Sequence, residues 1–104
     1  MTSEIFRYEF PTNVAMADVE ASIVLAVLAT QGLHGEALVR LEARHHLDLP
    51  GRRCVVDAST PAGSDFNRIF VSFLLREFGD RGFCVERVEK AKPDERRQEG
   101  KSKN

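Results

Sequence analysis

The chain has 104 residues, 42% of them hydrophobic and 30% charged, with a net charge of −1. That length leaves no room for a second domain of ordinary size, and that balance excludes wholesale disorder and fibrous repeats. Met1 to Lys90 carries 10 basic and 13 acidic residues, net −3, while Ala91 to Asn104 carries 5 basic and 3 acidic, net +2. With no Lys/Arg stripe on the main body to neutralise phosphates, composition argues against nucleic-acid binding.

Met1-Thr2-Ser3-Glu4 has neither a basic nor an apolar leader segment, so no secretory signal is expected. The longest apolar run, Ile23 to Ala29, is seven residues, against about 20 for a bilayer span. The expectation is a cytoplasmic protein with no membrane partner.

Ile5 to Phe10 alternates apolar and charged residues and stops at Pro11-Thr12-Asn13, which predicts a first strand with Phe6, Tyr8 and Phe10 facing inward. Ala15 to Gln31 reads as a helix capped by Thr12 or Asn13, with acidic Asp18 and Glu20 near its positive end and Gly32 at its stop. Ile23, Val24, Leu25, Val27 and Leu28 spread over more of its circumference than packing on one sheet face requires, which suggests a second partner surface.

Glu36 to Leu49 has helix-forming composition yet also alternates, with Ala37, Val39, Leu41 and Ala43 on one side. A strand is expected there, because Leu49-Pro50-Gly51-Arg52 places Pro and Gly at the centre of a type II turn that would close a hairpin onto Cys54 to Ala58. Asp65 to Phe78 carries Phe66, Ile69, Phe70, Phe73, Leu74 and Phe78 at helical spacing and should be the main core helix, with Asn67, Arg68, Ser72 and Arg76 outside. Gly79 and Gly82 end it, and Phe83 to Val88 reads as the last strand. The polar, aperiodic segment 91–104 is expected to be a disordered charged tail on a single domain over residues 1–90.

The expected order, strand-helix-strand-strand-helix-strand, is the ferredoxin-like βαββαβ pattern: four antiparallel strands, the first and third central, covered on one face by two helices. The opposite face would be polar through Arg7, Glu9, Arg40, Glu42 and Arg44.

One segment carries candidate chemistry. Asp57 ends an expected central strand, and Ser59, Thr60, Gly63, Ser64 and Asp65 follow into a helix start, where hydroxyls and backbone N–H groups could cradle a small anionic ligand. The competing reading is a self-capped turn, in which Asp57 accepts its own backbone N–H groups and Ser64 or Asp65 caps the helix. No glycine-rich nucleotide motif is present, and no cofactor is expected.

His45 and His46 are adjacent on an expected strand and point to opposite faces, so no metal site is expected from them. Placed at the hairpin end of that strand, they would lie far from Asp57 and form no Ser/His/Asp constellation. Cys54 and Cys84 lack ligand spacing and read as buried free thiols. Arg40, Arg44, Arg52 and Arg53 gather near the hairpin, as a solvated edge that resists aggregation or a surface for an acidic partner.

Val55-Val56-Asp57-Ala58-Ser59, followed by Gly63-Ser64 at a helix start and a glycine-bounded strand, resembles the STAS-type domains of anti-sigma-factor antagonists over about 35 residues. That resemblance implies a phosphoswitch interaction domain modified on Ser64 or Ser59. The chain departs from the family in having glycine before Ser64, not after it, and in lacking the later helices. The leading expectation is instead a non-enzymatic binding or regulatory module that forms a homodimer.

Overall fold

A computed structural model describes residues 4–88. The tail expected over 91–104 lies outside the described residues. The elements are β1 (Ile5–Glu9), α1 (Met16–His34), α2 (Glu36–Glu42), β2 (His45–Asp48), β3 (Arg53–Asp57), α3 (Pro61–Phe78) and β4 (Cys84–Val88). They form one antiparallel sheet in the order β2-β3-β1-β4, with β1 and β3 central as expected.

The element order is βααββαβ, with three helices where the ferredoxin-like βαββαβ reading has two. That expectation is corrected at Glu36 to Leu49, which is a helix followed by a four-residue strand. The reason is local. Gly35, at φ 87°, lets the chain break from α1 and start a new helix at once. Glu, Ala, Leu and Arg are good helix formers, and Glu36 and Arg40 pair at 3.2 Å one turn apart. Only Val39 of α2 is buried, so the apparent alternation never meets a sheet face. Arg40 and Glu42 therefore belong to a helix and not to the open sheet face.

The core lies between one sheet face and the helices. Tyr8 of β1 and Cys54 and Val56 of β3 are fully buried against Val19 and Ala26 of α1 and Phe66, Phe70 and Leu74 of α3. Burial of large side chains such as these contributes about 1.5–3 kcal/mol each. Phe10 and Phe83 close one end, with rings 6.3 Å apart. On the open face Arg7 of β1 reaches Glu86 of β4 at 2.9 Å and Glu9 at 3.4 Å.

The hairpin between β2 and β3 closes, but not as a type II turn. Arg52 N–H donates to Leu49 O at 3.1 Å, and the positive φ falls on Arg52, at 57°, instead of Gly51. A four-residue hairpin loop built around a type I turn places its left-handed residue at this last position. Asp48 Oδ1 accepts from Gly51 N at 3.0 Å, and a Cβ at position 51 would overlap the Asp48 carboxylate.

Two other expectations change. Cys54 is buried but Cys84 is exposed. Helix α1 runs to His34, with Gly32 inside it and Ala15 at its N-cap without a side-chain bond, so neither Thr12 nor Asn13 caps it. The helix, 19 residues long with an 18-residue window of mean hydropathy 1.4, is long and apolar enough to cross a membrane, although Val19, Ile23 and Ala26 pack into the core.

Candidate functional site

The turn from Asp57 to Asp65 is built on a helix that starts four residues earlier than its apolar spacing suggests. Thr60 is the N-cap of α3, and its Oγ1 accepts from Gly63 N at 2.9 Å while donating to the Glu42 carbonyl at 2.9 Å. One hydroxyl thus caps α3 and satisfies the last carbonyl of α2. Pro61, at the first helical position, supplies no N–H, which leaves that of Ala62, a fully buried residue.

Other polar groups of the turn also have partners. Asp57 Oδ1 accepts from Ser59 N at 3.0 Å, and Asp57 N donates to Arg44 O at 2.9 Å. Ser59 Oγ accepts from Glu4 N at 3.0 Å. Ser64 N donates to Thr60 O at 2.7 Å, so Ser64 belongs to the first turn of α3 and not to a loop. Gly63 meets the end of β3 so closely that a Cβ would overlap the Asp57 carbonyl oxygen and stand 3.2 Å from that of Glu42. The structure brings Asp57, Ser59, Thr60, Gly63, Ser64 and Asp65 together, with bonds both within the turn and outward to Glu4, Glu42 and Arg44.

Asp65 has a partner that sequence spacing does not reveal. His34 Nε2 lies 2.7 Å from Asp65 Oδ2, joining the last residue of α1 to the first turns of α3, and Arg68 Nη1 stands 3.6 Å from the other oxygen. The carboxylate that faces the positive end of α3 is thereby shared with an imidazole and a guanidinium.

The histidine pair sits elsewhere than expected. His45 pairs with Val56 and His46 with Val55, so they do point to opposite faces. Because β2 begins at His45, however, both lie at the Asp57 end of β3 and not beside Arg53. The His45 ring stacks on Phe66 at 5.1 Å, and desolvation holds it below the usual histidine range, with the Ala43 carbonyl pulling the other way and His46 adding to the fall. Among the described residues, no group of three or more His, Cys, Asp or Glu side chains could hold a metal ion.

Sequence reasoning missed a groove of about 610 Å³ between α1, α2 and the start of β2. Val27, Val39 and Ala43 give it an apolar floor, and Gln31, Arg40, Arg44 and His45 form its polar rim. Its one trace in the sequence is Arg40 and Arg44, four residues apart.

Arg52 is likewise not a free surface cation. Its guanidinium donates to the carbonyls of Phe10 at 3.3 Å, Pro11 at 2.5 Å and Val14, fastening the loop between β1 and α1 to the hairpin.

No family model, curated protein or solved structure matches this chain.

Proposed function

We propose that this chain is a small non-enzymatic binding or regulatory module that works as a homodimer, two copies meeting through the outer face of α1. The observation that carries the reading is that α1 is apolar on two opposite sides. Val19, Ile23 and Ala26 face the core, while Val24, Leu25 and Leu28 are 53%, 51% and 58% exposed. A helix that is hydrophobic all round is normally covered all round.

The outer face is suited to a copy of itself. In an antiparallel pair about a two-fold axis between positions 24 and 25, Ala17 would oppose Gly32, Ala21 would oppose Leu28, and Val24 would oppose Leu25. Ala21 then stands across from Leu28, a small residue against a larger one, while Ala17 and Gly32 let the helix ends approach closely. The same arrangement sets the acidic half of α1, with Asp18 and Glu20, against the half that ends in His34 and carries no acid. It also opposes the helix dipoles. A membrane surface suits the face less well, because amphipathic membrane helices carry Lys or Arg beside the apolar stripe, and α1 has neither.

The non-enzymatic part is supported by the turn from Asp57 to Asp65, where the side chains of Asp57, Ser59, Thr60 and Asp65 are tied into the scaffold through Ser59 N, Glu4 N, Gly63 N, the Glu42 carbonyl and His34. Light scattering on size-exclusion chromatography at micromolar concentration tests the dimer. The expected mass is twice 11.7 kDa, reduced to one chain by Leu28→Glu with the helical circular dichroism retained. A wild-type protein that stays monomeric would sink the reading.

A further inference from the structure

We propose that the groove between α1, α2 and β2 is a binding site for a small amphipathic monocarboxylic acid, its apolar body on Val39 and Ala43 and its carboxylate on Arg44. The groove flanks the outer face of α1 without lying within it, so this inference stands independently of the dimer.

The floor is built into the core. Val39 is 4% and Ala43 7% exposed, so the core holds both in place, and the partly buried Val27 completes the apolar base. The His45 ring, held against Phe66 at 25° between planes, gives one side a flat wall. The volume of about 610 Å³ falls within the 300–1,000 Å³ usual for small-molecule sites.

The two arginines differ. Arg40 is already engaged, pairing with Glu36 at 3.2 Å. Among the described residues, no carboxylate pairs with Arg44. Its backbone is anchored, since its carbonyl accepts the Asp57 N–H at 2.9 Å, and its Nε reaches back to the Leu41 carbonyl at 3.4 Å. The terminal nitrogens of the guanidinium are left for an external oxyanion, in the fork geometry that suits a carboxylate. One uncommitted positive charge over an apolar base matches one negative charge on an apolar body. A dianion such as a phosphate monoester would bring a second charge, which Arg40 could meet only by leaving Glu36.

The test titrates octanoate, octanol and acetate into the full chain while following backbone amides by ¹H–¹⁵N correlation spectra. Octanoate is expected to shift Ala43, Arg44 and His45 with a Kd of about 1 mM, the scale that ligand efficiency allows for an acid of about ten heavy atoms. Octanol, which lacks the charge, and acetate, which lacks the body, are each expected to bind about tenfold more weakly or worse. Arg44→Gln should remove about tenfold of the octanoate affinity and leave octanol binding unchanged. Arg76→Gln, at an exposed site on α3, should change neither, which separates the site from general charge effects. Octanol binding as tightly as octanoate, shifts confined to another part of the protein, or an Arg44→Gln variant that keeps full octanoate affinity would each overturn the proposal.

Discussion

The hydroxyl of Tyr8 donates to Oδ1 of Asn67, tying the central strand of the sheet to the middle of α3. Asn67 sits on the flank of a helix whose apolar spacing alone would turn it to solvent. Tyr8 is fully buried, its ring edge-on to Phe70 at 5.0 Å, and desolvation, with Cys54 adding to it, pushes the phenol far above its ordinary range, so it stays a donor.

Removing either partner leaves the other stranded, and the two losses are unequal. Tyr8→Phe abandons the amide oxygen of a partly buried asparagine, at about 1 kcal/mol. Asn67→Ala abandons a buried phenol and should cost more, about 1–3 kcal/mol. Urea midpoints for both single variants and the double variant check this; the double should cost less than the two singles added together.

At Arg52 an unfavourable backbone coexists with a favourable side chain. Arg52→Ala keeps the positive φ and loses all three guanidinium bonds, whereas Arg52→Gly loses the bonds but relieves the backbone. Arg52→Gly should therefore be the more stable of the two by about 1 kcal/mol, with both below the wild type. Thermal melting of the three proteins gives the order, and an alanine variant as stable as the glycine one would refute the backbone part.

Gly63 is set by close approach and not by φ. Gly63→Ala should destabilise by about 1–3 kcal/mol, because the backbone of both Asp57 and Glu42 would have to move. Thr60→Ser keeps the cap and the bond to the Glu42 carbonyl, so it should cost less than Thr60→Ala, which loses both, at about 1–2 kcal/mol.

His45 makes stability fall toward acid. Its folded value lies below the 6.5 of an unperturbed imidazole, so the unfolded chain takes up this proton first as pH drops. Its contribution is intact above about pH 6.5, declines between there and the folded value, and is flat below. Arg40 and Arg44 on the groove rim and His46 next in sequence are cations or potential cations beside it. Chemical denaturation at pH 7.5 and 5.5 should show a larger loss for the wild type than for His45→Gln.

The core of this fold was legible because its signals are periodic. Phe66, Phe70 and Leu74 at helical spacing, and Tyr8 and Phe10 alternating along a strand, are where the pattern puts them. The pattern failed at Glu36 to Glu42, where seven residues satisfy both a period of two and a helix, and burial of Val39 alone decides between them. That single error moved His45 to the wrong end of the sheet and hid the groove beside it. The candidate turn was readable as a set of residues. Its wiring was not, since the Glu42 carbonyl, the Glu4 amide and the His34 ring arrive from elements 18, 55 and 31 positions away.

Tyr8 stands opposite Cys54, and Glu9 opposite Cys84, so the two sulfur atoms leave opposite faces of the sheet. They cannot join within one folded chain. Burial pushes the Cys54 thiol up to about 12, which keeps it inert, while Cys84 is open to solvent. The native protein thus carries a single addressable thiol, a ready position for one dye or spin label without mutagenesis. In air, that same thiol can weld two molecules covalently through β4, so an assembly held by α1 must be weighed under reducing conditions.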